Sequence, residues 1–143
     1  MIETVVIATD GSESVGRAVD VALDVATRFD AAVHALYVLE ESEVETAPEA
    51  VRDEMHAALA ERGEDAVAKV AEAAEKNVTT AVREGRPPAE ISQYARDVDA
   101  DVVATGTRGR HGENRFFIGS VAERVVRTCP VPVLTVRQLE AET

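Results

Sequence analysis

Apolar residues along the chain fall into two alternating rhythms. The first is a short, nearly unbroken run. Ile2 to Thr9 holds Val5-Val6-Ile7-Ala8, and the pattern returns in Ala32 to Leu39, Val78 to Arg83, Asp101 to Thr105 and Val131 to Val136. Runs of β-branched residues with few polar breaks mark parallel strands covered on both faces, since a half-exposed strand alternates. The second rhythm is helical. Val15, Ala18, Val19, Ala22, Val25, Ala26 and Phe29 recur three or four apart, predicting an amphipathic helix of about four turns that ends at Asp30. A stretch rich in Ala, Glu and Asp predicts a long helix from about Pro48 to Lys76. Gly63 inside it costs roughly 1 kcal/mol relative to Ala and invites a break.

Gly85-Arg86-Pro87-Pro88 reads as a turn, with Pro88 suited to the first turn of a helix running to about Val98. Ser120 to Arg127 predicts a short helix with Val121, Val125 and Val126 facing inward. Glu40 to Glu49 is acidic, holds a proline and has no apolar period, so it is expected to be a mobile surface loop. Asp10-Gly11-Ser12-Glu13-Ser14 is turn chemistry, with Ser12 or Ser14 placed to cap the first helix. Leu139 to Thr143 is expected to fray.

Strict alternation of strand and helix implies an α/β fold, a five-stranded parallel sheet with helices on both faces. Right-handed crossovers then create a switch point where strand order reverses, and ligands bind there, outside the carboxyl ends of the strands. The 143 residues are expected to form one domain over 1–143. Two segments leave strand ends with suggestive chemistry: Asp10-Gly11-Ser12 after strand one, and a glycine-rich stretch after strand four. If strands one and four are neighbours, these face each other across one crevice.

Charge narrows the function classes. The formal net charge is -12, which opposes general nucleic-acid binding. Only two lysines, Lys69 and Lys76, stand against many arginines. Acidic, lysine-poor chains resemble proteins of salt-loving organisms, and that association predicts a halophilic source. The single cysteine, Cys129, permits no intrachain disulfide and is expected to pack as a small apolar residue. No cationic leader precedes an apolar stretch, and no run approaches the ~20 residues of a membrane span. A cytoplasmic protein without membrane partners is expected.

Against this acidic background, Gly106 to Thr128 carries five arginines and two glutamates, a local charge of +3. Arg108 and Arg110 sit between glycines. Gly106 and Gly109 let backbone N–H groups approach a ligand without a Cβ in the way. Gly119-Ser120 opens a helix, whose free N–H groups and dipole attract phosphate. The stretch lacks the Gly-Lys pair of a Walker loop, and no Gly-x-Gly-x-x-Gly follows strand one.

Gly106-x-x-Gly109, nine residues, then Gly119-Ser120 is similar to the glycine motif of ATP-binding universal stress proteins. Ile7-Ala8-Thr9-Asp10-Gly11-Ser12 resembles that family's opening strand and acidic turn. Gly119 to Val125 and Pro130 to Val136 resemble its closing helix and strand. The resemblance implies a Rossmann-like sheet of order 3-2-1-4-5 and a site for ATP or another adenine nucleotide. It implies that Ala8, Thr9 and Asp10 lie near ribose and phosphates, with magnesium held at Asp10 through the phosphates. Val38 is implied to line the base pocket through its backbone. Thr105, Gly106, Arg108, Gly109, Arg110, Gly119, Ser120 and Val121 are implied to surround ribose and phosphates. It also implies a homodimer paired through Val131 to Val136. Ala8, where many members have proline, and Glu40, where aspartate is frequent, depart from the pattern. So does the carboxylate of Glu113.

His34 reads as a core or sheet-face residue, His56 as solvated and His111 as a phosphate-contact candidate. The three have no metal-ligand spacing. Asp10 reads as a site residue or an Asx-turn residue. Three functions compete at this point: a nucleotide-binding stress-response module, a slow ATPase or nucleotidyl-transfer enzyme, and a partner-binding homodimer without nucleotide. Nothing in the sequence supplies a general base, arginine finger or metal cage, so dedicated catalysis is not expected.

Overall fold

The computed structural model describes residues 1–107 and 119–138. The elements run β1 (Thr4–Ala8), α1 (Gly16–Phe29), β2 (Ala32–Glu40), α2 (Glu41–Glu45), α3 (Arg52–Ala73), β3 (Val78–Gly85), α4 (Pro87–Asp97), β4 (Val102–Gly106), α5 (Ser120–Thr128) and β5 (Val133–Val136). Single 3-10 turns, Glu13–Val15 and Glu49–Val51, lead into α1 and α3. All five strands are parallel, in the order β3-β2-β1-β4-β5.

Strict alternation along each strand divides the core in two. Val5 and Ile7 of β1 and Val33, Ala35, Tyr37 and Leu39 of β2 face α1 and α3. Val6, Ala8, Leu36 and Val38 face the other way, towards α4 and α5. Consecutive strand residues are therefore buried on both sides, which is why the strands read as continuous apolar runs. The N-terminal edge is pinned by Asp101, whose Oδ2 accepts the Glu3 and Thr4 N–H groups at 2.7 and 2.9 Å. Those two bonds hold its carboxyl below the usual range.

Several local expectations need correction. Glu41–Glu45 is a helix, not a loop. Five residues are too few to display a period, but Val44 packs against the core and gives α2 an anchor. Gly63 does not break α3: Tyr37 needs the space, since a Cβ there would lie 2.6 Å from its Cδ1. On α5 the buried residues are Ala122 and Val125, whereas Val121 and Val126 are exposed. The helix presents only a narrow stripe to α4 and the sheet, and valines on either side of it stay outside. Phe29 is about half exposed, 48%. Strand five begins at Val133, because the Pro132 carbonyl, bonded by Val103 N–H, is its first ladder contact. Ser12 does not cap the first helical turn through its hydroxyl. His34 is half-buried, with Nδ1 2.8 Å from the Tyr94 hydroxyl. Burial pushes His34 down and Tyr94 up, the latter opposed by Arg83. His56 meets Glu84 at 3.0 Å, and Cys129 packs at the edge of the second core. Among the described residues no helix is long and apolar enough to cross a membrane.

Candidate functional site

β1 and β4 are neighbours, and the chain leaves them towards opposite faces of the sheet. This is the switch point. A cleft opens there, above the second core, between the strand ends, α4 and α5.

The β1 side is built by Ala8, Thr9 and Asp10. Thr9 N–H bonds the Leu36 carbonyl at 2.9 Å, extending the ladder one residue past β1. The chain then turns sharply at Gly11, whose φ of 79° is left-handed. A Cβ there would also sit 3.2 Å from the Ala66 Cβ, so glycine is needed twice over. The turn closes on its own side chains. Asp10 Oδ1 accepts the Ser12 N–H at 2.9 Å and the Ser12 hydroxyl at 2.5 Å. Ser12 Oγ also lies 2.7 Å from Ser14 Oγ, and Thr9 Oγ1 accepts the Gly11 N–H. Asp10 is thus an Asx-turn residue that also lines the cleft.

The β4 side is built differently. Thr105 and Gly106 end the strand on the cleft, and Gly106 lies so near the first turn that a Cβ would be 3.3 Å from the Ser14 carbonyl. Thr107 continues the wall, and its carbonyl accepts the Gly119 N–H. Gly119 is the N-cap of α5 and has no side chain to satisfy the helix's free donors. The first intrahelical bond is Glu123 N–H to the Gly119 carbonyl. The N–H groups of Ser120, Val121 and Ala122 therefore lack intrahelical acceptors, and all three residues line the cleft. A helix N-terminus of this kind suits an anion.

The floor is apolar. Val38 and Leu36 of β2 meet Ile91 of α4, all buried. This gives one end of the cleft the character of a slot for a flat, uncharged group and the other that of an anion seat. Glu40 and Pro87 form the rim. Beside the rim, the Glu41 carboxyl is pushed up, chiefly by its hydrogen bond with Glu45 and that neighbour's charge; Arg86 opposes the shift.

The structure brings Ala8, Thr9, Asp10, Val38, Thr105, Gly106, Gly119, Ser120 and Val121 onto this one cleft. Arg108, Gly109, Arg110, His111 and Glu113 lie outside the described residues. Sequence reasoning missed Val15, Leu36, Glu40, Pro87, Ile91, Thr107 and Ala122 as lining residues. The signals for Leu36 and Ile91 were the apolar run of β2 and a place on the helix after Pro88, both of which read equally well as core. Among the described residues no cluster of His, Cys, Asp and Glu could hold a metal ion by itself.

A family model described as the universal stress protein family matches residues 1–137. A universal stress protein of Methanocaldococcus jannaschii is 36% identical over 146 residues, covering 99% of this chain and 86% of its own length. Among solved structures, a universal stress protein in complex with cAMP superposes with a TM-score of 0.70 at 25% identity, covering 96% of this chain and 98% of the other. A universal stress protein of Archaeoglobus fulgidus in complex with dAMP gives 0.63 at 25% identity, covering 96% and 98%.

Proposed function

The chain belongs to the universal stress protein family, and on that premise we propose that it is an adenine-nucleotide-binding regulatory module that takes ATP in the cleft between β1, β4 and α5. The observation that carries this reading is the open start of α5. Three adjacent N–H donors without intrahelical acceptors face a cleft whose far end is apolar. Phosphate oxygens suit the donors, ribose suits the wall between Asp10 and Gly106, and adenine suits the slot of Leu36, Val38 and Ile91. The cAMP and dAMP carried by two structural relatives support an adenine nucleotide.

Magnesium, in this proposal, enters with the phosphates. The Asp10 Oδ1 atom already accepts two hydrogen bonds. Protein alone would not complete a coordination shell, so the ion is shared between Asp10 and phosphate oxygens. The chain's own residues bind and orient; none is placed as a general base, and dedicated catalysis is not part of the proposal. The proposed protein is a single domain over 1–143, cytoplasmic and dimeric. An outer β5 whose Val133, Leu134 and Thr135 are only partly covered supports pairing with a second copy.

Thermal melting tests the binding claim. Saturation at a hundredfold excess over the dissociation constant should add about 2.7 kcal/mol, or roughly 8–10 °C in Tm. ATP, ADP and AMP should all shift the melt, and a pyrimidine nucleotide should shift it less. No shift with any adenine nucleotide would remove this reading and leave the partner-binding alternative. Sedimentation equilibrium tests the dimer, whose mass should be double the 15.3 kDa of one chain.

A further inference from the structure

A second cavity of about 460 Å³ lies beside the nucleotide cleft. Glu40, Pro87, Ser120 and Val121 line both, so the two spaces are adjacent. Its volume falls within the roughly 300–1,000 Å³ of small-molecule sites. Its lining carries both signs of charge. α2 supplies Glu41 and Glu45; the N-cap of α4 supplies Arg86, and α5 supplies Arg124, one turn beyond Ser120.

The arginines here differ from those nearby. Arg127 is paired with Glu123 at 2.8 Å, and Arg83 with Asp97 at 2.8 Å. The guanidinium groups of Arg86 and Arg124 make no hydrogen bond or ion pair with any described residue. Arg86 acts on Glu41 through charge alone, and two guanidinium forks with no hydrogen-bond partner among the described residues suit a phosphate, which accepts from both at once. Glu41 and Glu45 hydrogen-bond to each other, and their remaining oxygens, with the Glu40 carboxylate, suit hydroxyl and amino donors. A ribose or a purine carries such donors; a bare polyphosphate tail does not, and it would be repelled.

We infer that the second cavity is a subsite for a second nucleoside unit joined by phosphate to the nucleotide in the first cleft, so that the chain recognises a dinucleotide in preference to a mononucleotide. Joining the two halves makes the second contact intramolecular, and affinity rises without a new fold element. The inference rests on the proposed nucleotide reading of the first cleft.

Calorimetric titration of the full chain separates the two claims. The probes are ATP, two adenosines bridged 5′,5′ by four phosphates, and a 3′,5′-linked diadenylate. The two dinucleotides distinguish a long bridge from a short one. At least one of them should bind about tenfold tighter than ATP or more, the yield of one or two charge-assisted contacts. The double variant Arg86→Gln, Arg124→Gln should bring that dinucleotide to within about twofold of ATP. ATP itself should change less than about threefold, because neither arginine lines the first cleft. Both side chains are exposed, and an unchanged Tm would verify the fold. Equal affinity for ATP and both dinucleotides in the unaltered chain would overturn the subsite, as would a double variant that loses ATP and dinucleotide alike. If none of the three binds, the nucleotide reading itself fails, and the subsite with it.

Discussion

Two neighbouring strand ends face the same cleft, and they are built to opposite specifications. After β1 the turn is closed: Asp10, Ser12, Ser14 and Thr9 bond one another and the turn's own N–H groups. Glu13 then places a carboxylate in the first helical turn that follows. After β4 the helix start is open: Gly119 caps without a side chain, and the donors of Ser120 to Ala122 have no helical partner. Two helix starts lie at the switch point, and at α5 a cap without a side chain leaves the first three N–H groups without an intrahelical acceptor, the arrangement that suits an anion.

Reversing the charge of the open end should have the largest effect. Ser120→Asp sets a carboxylate among the free N–H groups, where the helix dipole welcomes it by about 0.3–1 kcal/mol. A phosphate arriving at the same place meets like charge, costing several kcal/mol. Nucleotide affinity should fall about a hundredfold while Tm stays level or rises slightly, measured by titration and melting of one sample. A binding loss accompanied by unfolding would not fit this account.

Gly106→Val should act on both ends together. The added Cβ would press the Ser14 carbonyl at 3.3 Å and the Val15 Cα at 3.5 Å, wedging the two strand ends apart. A cost of about 1–3 kcal/mol is expected for such overpacking, visible as a lower denaturation midpoint, together with weaker binding.

These residues also show how much could be read beforehand. The central strands β1, β2 and β4 were legible because both faces are covered, so their runs stayed apolar. The glycine at 106 was legible because only backbone can approach so near. Val121 and Val126 misled because an apolar residue on a short helix has two fates, and α5 covers only Ala122 and Val125. Leu36 and Ile91 were invisible as site residues because a slot for a flat ring and a piece of core need the same side chains. α2 was missed because Val44, its anchor, is a single apolar residue among charges.

Opening the closed end should have a smaller effect. Asp10→Ala releases the N–H and hydroxyl of Ser12, at a cost of about 1 kcal/mol in stability. It should also abolish any difference between nucleotide affinities measured with magnesium and with a chelator. A difference that persists in the variant would place the ion elsewhere.

The smallest effect on binding comes from the far end of the same strands. Asp101 holds the Glu3 and Thr4 N–H groups, and its folded pKa is lowered by those bonds. A lowered carboxylate stabilises the fold at pH above its unfolded value of 3.8, and that stability is lost as pH falls below it through the folded value. Asp101→Asn should flatten the acid limb of a Tm-against-pH curve and leave nucleotide affinity unchanged. A change in affinity would mean that the two ends of the sheet are coupled.

The most direct test follows the backbone amides by NMR as an adenine nucleotide is added. The N–H signals of Ser120, Val121 and Ala122 should move furthest, with Gly106 next and those of Gly11 to Val15 much less. Largest shifts in Gly11 to Val15, or none at the start of α5, would contradict the claim that the open helix end receives the phosphate.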